Sequence, residues 1–299
     1  MNRIVHRWIA VISIAISSLL FLGCTGKNPL TLQQETQSLS SITKTPTGKH
    51  YTGKFVWHDL LTDDVSKAKQ FYAGLFDWTF EDKGGYVTIY HQGKAIGGIM
   101  HVAHTSDKST EAVWLSSLSV ENVDSAIAEV KSKKGTVLKG PIDMPQRGRG
   151  VLVSDAQGAQ IVLLRAKGGD PLDTTPQMGD WLWNELWTSN PNESELLYRA
   201  LGKYDAVSKI GEYHILKHKG KLRAGIRDVS KEDVKSRWVS VVRVADLQKS
   251  MVKAESLGGQ VLMKPHKEIA NGNVVMIADN TGALLLLQRW SGSVKEGGK

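Results

Sequence analysis

Phe55-Val-Trp57-His-Asp59-Leu-Leu-Thr62 and Trp181-Leu-Trp183-Asn-Glu185-Leu-Trp-Thr188 are the same sentence written twice in one chain. Each alternates aromatic and polar residues as a half-buried strand does, and each is followed by a helical pattern carrying a tyrosine, Tyr72 and Tyr198. Outward from this pair the match continues in register. Tyr86 and His91-Gln-Gly-Lys94 meet Tyr213 and His218-Lys-Gly-Lys221, Gly98 meets Gly225, and Trp114 meets Trp238. Gly135 to Pro141 meets Gly259 to Pro265, and Asp155-Ala-Gln-Gly158-Ala closes the first copy as Asp279-Asn-Thr-Gly282-Ala closes the second. A repeat of this length is a duplicated domain, and recognising it decides the fold.

Within each copy the order strand, helix, strand, strand, strand occurs twice, which makes an α+β protein of four modules. Asp64, Asn122, Asn192 and Asp246 stand where helix N-caps belong. Gly93 and Gly220 supply the positive φ of hairpin turns, and the neighbouring His91 and His218 are expected as exposed turn neighbours. Residues 51–166 and 179–291 are the two domains, 167–178 the linker and 292–299 a tail.

The amino terminus reads differently. Two arginines, Arg3 and Arg7, precede an apolar run from Trp8 to Leu22 that ends at Gly23-Cys24. That run is shorter than the roughly 20 residues a helix needs to span a bilayer, so residues 1–23 read as a secretory signal. Leu20-Phe-Leu-Gly-Cys24 resembles a lipobox, and the resemblance implies that Cys24, the single cysteine, is acylated and becomes the first residue of a membrane-anchored chain. Phe21 departs from the usual leucine. Residues 24–50, rich in Thr, Ser, Gln and Lys, read as a flexible tether. The expected location is the cell envelope, on the outer membrane facing the periplasm if the cell is Gram-negative, which Thr25 after the anchor also suggests. The formal charge of +8, or +6 without the leader arginines, is scattered without runs. It argues for a solvated surface tolerant of anionic lipid and not for a nucleic-acid partner.

Val56-Trp-His-Asp-Leu-Leu-Thr-Asp-Asp64, Tyr72, Leu75-Phe-Asp-Trp78 and the two closing Asp-x-x-Gly-Ala turns resemble the vicinal oxygen chelate superfamily of glyoxalases, bleomycin-resistance proteins and extradiol dioxygenases. The resemblance spans roughly residues 53–290. It implies two tandem domains, each of two βαβββ modules forming a curled sheet around a cleft. In the family's metal enzymes, His, Gln or Glu from the first and last strands of the modules hold one divalent ion. The corresponding positions here are Trp57, Leu115, Val162 and a fourth near Ile99, with His101 on the same strand face. In the second domain they are Trp183, Val239, Leu286 and a fourth near Ile226 and Asp228. Apolar side chains at nearly all of them lead to the expectation of no metal cofactor.

Strand alternation puts Trp57 with Asp59, and Trp183 with Glu185, on the cleft side. An aromatic floor beside one carboxylate suits a flat or cationic small molecule, through stacking and cation–π contact. The expectation is therefore an envelope lipoprotein that binds a small molecule without metal. Two alternatives are a metal-dependent lyase or dioxygenase with the non-standard ligands His58, His101, Asp59 and Glu185, and an interaction lipoprotein whose clefts its own side chains fill.

Overall fold

A computed structural model describes residues 39–103 and 112–290 of the chain. The signal, Cys24, the tether as far as residue 38 and the tail lie outside the described residues.

The first domain runs β1 (Phe55–Thr62), α1 (Val65–Phe76), β2 (Thr79–Lys83), β3 (Tyr86–His91), β4 (Lys94–His101), β5 (Val113–Ser119), α2 (Val123–Ser132), β6 (Thr136–Met144), β7 (Gly148–Ser154) and β8 (Gln160–Ala166). The second runs β9 (Trp181–Thr188), α3 (Pro191–Gly202), β10 (Ala206–Ile210), β11 (Tyr213–His218), β12 (Lys221–Asp228), β13 (Arg237–Arg243), α4 (Leu247–Ser256), β14 (Gln260–Met263), β15 (Val274–Ala278) and β16 (Leu284–Gln288). Each domain folds into one curled eight-stranded sheet. The orders are β2-β3-β4-β1-β5-β8-β7-β6 and β10-β11-β12-β9-β13-β16-β15-β14. The first strands of the two modules, β1 and β5 or β9 and β13, meet antiparallel at the centre.

The helices begin where side chains cap them. Asp64, Asn122 and Asp246 accept from the backbone N–H three residues on. The third cap departs from expectation: it is Asn190, accepting from Glu193 N at 3.2 Å, and not Asn192. Pro191 decides this, because its fixed φ and missing N–H suit the first helical position.

The two domains share their cores crosswise. Leu60, Phe71, Tyr72 and Ile99 of the first module, with Trp114 at the start of β5, pack with Val242, Met251, Ala254 and Ile277 of the fourth. Leu118, Val130 and Ile161 of the second pack with Leu197, Tyr198 and Ile226 of the third. The helices thus lie between the sheets, and each sheet keeps its other, inner face turned away. Paired bonds mark the pseudo-twofold: Tyr72 OH donates to Asp279 at 2.7 Å and Tyr198 OH to Asp155 at 3.2 Å. On the axis Asn184 accepts from Ser116 and Ser240 and donates to His58 Nε2 at 3.1 Å.

Two expectations are corrected here. His91 is not an exposed turn residue: it is buried, with Nδ1 2.6 Å from Asp180 at the entry to the second domain, while its repeat mate His218 stays half-exposed. The tether does not extend to residue 50. Thr47 and Gly48 donate to Gly168 O, Asp170 N donates to Lys49 O, and Ile42 is 2% exposed against Trp57, Leu164 and Ala166.

Candidate functional site

The inner face of each sheet is set by register. Trp57 lies opposite Ser117 and Asp59 opposite Leu115, while Ser117 lies beside Val162, so Trp57, Asp59, Leu115 and Val162 share one face. In the second sheet Glu185 lies opposite Val239, and Trp183 opposite Val241, itself beside Leu286. The fourth position is different from expectation. Ile99 and Ile226 are both fully buried in the shared core behind the sheets, and His101 and Asp228 follow their alternation. The residues that pair with Asp59 and Glu185 on the inner face are Gly98 and Gly225.

Those glycines have a reason. A β-carbon at Gly98 would overlap the Tyr86 hydroxyl, and one at Gly225 would overlap that of Tyr213. Each tyrosine therefore crosses the neighbouring strand through the missing side chain and reaches the acid. Tyr86 OH donates to Asp59 Oδ1 at 2.6 Å, and Tyr213 OH to Glu185 Oε1 at 2.8 Å. The pairing of acid, Tyr and Gly is thus built the same way in both halves. Tyr86 with Tyr213 and Gly98 with Gly225 were visible as repeat matches, but alternation alone did not bring them to the acids.

The surroundings then diverge. In the first domain Arg147, on the β6–β7 turn, enters the cleft. Its Nη1 donates to Asp59 Oδ2 at 3.1 Å and Nη2 to Tyr86 OH at 2.7 Å, with the guanidinium 5.0 Å from the Trp57 ring centre. Trp57 Nε1 adds a third bond to the carboxylate. Burial opposes the charge on Arg147, but Asp59 and Tyr86 outweigh it and hold its pKa above the usual value. Burial and the Asp59 charge raise the Tyr86 pKa, so the phenol stays a donor. Asp59 is saturated and covered.

In the second domain the acid's hydrogen-bond donors among the described residues are neutral, Tyr213 OH and Trp187 Nε1 at 3.3 Å. Burial pushes the Glu185 carboxyl above the usual carboxylate range, against the pull of those two bonds and of Arg227. Arg227 itself lies over the Trp187 ring at 5.5 Å. Trp183, half-buried and tilted against Tyr213, has its Nε1 buried without a hydrogen-bond partner among the described residues. The second inner face thus carries a buried carboxyl of raised pKa and an indole N–H without a partner among the described residues, the kind of polar pair found at functional sites.

The inner faces do not fit a divalent ion. Among the described residues each offers one carboxylate, flanked by tryptophan, leucine or valine and glycine where other donors would stand, and in the first domain a guanidinium already holds that carboxylate. His58 is on the opposite face, stacked 4.1 Å from Trp181 in the domain interface, so it does not join Asp59. Burial lowers its pKa to about 3 despite the bond from Asn184. His101 ends β4 at the exposed surface.

Residues 49–163 match the Glyoxalase/Bleomycin resistance protein/Dioxygenase superfamily. "Putative glyoxylase CFP32" of Mycobacterium bovis is 27% identical over 238 residues, covering 76% of this chain and 91% of that protein. Anthracycline biosynthesis protein DnrV of Streptomyces peucetius is 25% identical over 240 residues, covering 71% and 85%. Among solved structures, the Mn(II)-bound glyoxalase from Novosphingobium aromaticivorans superposes with a TM-score of 0.54 at 14% identity, over 80% of this chain and 82% of that one. At that identity the likeness is one of fold.

Proposed function

Because this chain belongs to the Glyoxalase/Bleomycin resistance protein/Dioxygenase superfamily, as a tandem-domain member, we propose that it is a metal-independent small-molecule-binding lipoprotein of the cell envelope, anchored through Cys24, with its working cleft in the second domain. The observation that carries this reading is the contrast between two equivalent acids. Asp59 is neutralised by Arg147 and covered, whereas Glu185 is held by neutral donors among Trp183, Trp187 and Tyr213. The acid free to meet a cation is therefore the one in the second cleft. Aromatic rings around one ionisable carboxyl favour a flat molecule carrying a cation, which the acid meets and the rings stack upon.

An anthracycline, a flat ring system with an amino-sugar cation, is a suitable probe, and the Streptomyces relative's name makes it a natural one. Titration followed by tryptophan fluorescence should saturate. E185Q and W183A should each weaken binding about tenfold or more, on the order of 1.4 kcal/mol, while D59N leaves it unchanged. Equal affinity in wild type, E185Q and W183A would remove the assignment. Since ionised Glu185 is the form that attracts a cation, affinity should rise with pH through its raised pKa, and E185Q should abolish that rise. For the anchor, labelled palmitate should enter the wild-type chain and not C24A.

A further inference from the structure

The inner face of the first sheet is occupied by the chain's own amino-terminal segment. Ile42 sits on Trp57, Val162, Leu164, Ala166 and Met144, and Trp57 and Val162 are cleft positions of this fold. Two polar contacts accompany it: Arg147 Nε donates to Ser40 O at 3.1 Å, and the Ser40 and Thr88 hydroxyls lie 3.2 Å apart. The segment has two parts of unequal hold. Its root is pinned, with Thr47 N and Gly48 N on Gly168 O, Asp170 N on Lys49 O, and Tyr51 N on Asp170 Oδ2 at 2.6 Å. Its tip, residues 40–46, rests on the buried Ile42 side chain, the Ser40 contacts and the approach of Thr43 and Pro46 to Gly168, and Lys44 to Pro46 are exposed. Within the root Gly48 takes φ +61°, a left-handed turn that glycine adopts without strain.

The chemistry under the tip is specific. Both outer nitrogens of Arg147 are committed to Asp59 and Tyr86, so its charge is matched and its Nε is left to take a neutral acceptor, here a peptide carbonyl. Beside it Thr88 takes a hydroxyl, and the apolar wall takes a branched aliphatic group. We propose that the first cleft is a binding site for a neutral carbonyl compound of peptide type with a branched aliphatic side chain, which the chain fills in cis with Ser40–Ile42 and opens when residues 40–46 swing out ahead of the pinned Thr47. The proposal is independent of the second-domain site.

The test uses the full chain and, as probe, a capped peptide of residues 39–45, Leu-Ser-Ser-Ile-Thr-Lys-Thr. Fluorescently labelled, it should bind I42G at least tenfold more tightly than wild type, because the cis competitor has lost its grip. The same peptide with glycine in place of isoleucine should not compete. An I42G protein of native circular dichroism that binds no peptide overturns the proposal. A second readout does not depend on that variant's stability: the thiol introduced by I42C should be alkylated at least a hundredfold faster than that of L118C, which lies in the shared core. Free peptide should speed it further by holding the cleft open. Equal rates for the two thiols, or no response to peptide, would show a fixed part of the core.

Discussion

Replacing Arg147 with methionine leaves Asp59 buried with its cation gone, a change that should cost about 3 kcal/mol or more in urea denaturation. D59N/R147M should recover part of this, because a neutral amide no longer needs the guanidinium. A second residue-level effect lies behind the sheet. His58 is neutral in the folded protein down to about pH 3, whereas in the unfolded chain it gains its proton near pH 6.5. The unfolded state therefore binds more protons over that window, and stability falls as pH drops from about 6.5 towards 3, by up to about 1.4 kcal/mol per unit. H58N, which places in the first repeat the residue the second has as Asn184, should flatten this slope relative to wild type when stability is measured at pH 4, 5 and 6.5.

Among the elements, α3 tests how a helix start is chosen. N190A should lower stability by about 1 kcal/mol, and N192A should leave it nearly unchanged. The strands, helices and hairpins were legible in sequence because their signals are local: period-two alternation, caps, and Gly93 and Gly220 at positive φ. The face assignment of Trp57, Asp59, Trp183 and Glu185 was legible for the same reason. Arg147 was not, since it comes from a turn in the other module and only the curl of the sheet carries it to Asp59. Ile99 was misplaced by a single step, enough to exchange core for cleft in a strand. Ile42 has one apolar neighbour, Leu39, in an otherwise polar run, too little periodicity to mark it as buried.

For the whole molecule, the crosswise cores mean that neither domain holds a complete hydrophobic interior. Phe71 and Met251 belong to one cluster, as do Val130 and Leu197, though each pair spans two domains. Heating should give a single calorimetric transition whose van't Hoff and calorimetric enthalpies agree, and residues 51–166 expressed alone should lack cooperative unfolding. Two separate transitions would contradict the shared interior. The duplication was plain in sequence, but this pairing was not, because repeat identity says nothing about which module packs on which.

The pinned root of the amino-terminal segment joins the first domain to the linker at Gly168 and Asp170, the same stretch that leads into the second domain. Under the proposed anchorage at Cys24, tension from the amino-terminal side reaches residues 40–46 before the root. It peels Ile42 and Ser40 from the cleft one contact at a time before it loads the root, where several hydrogen bonds share it. The tip is then a mechanical fuse. Tension on that side would uncover the first cleft while the sheets and the second-domain site stay at rest, so a pull on the amino-terminal segment becomes a quantity the fold registers.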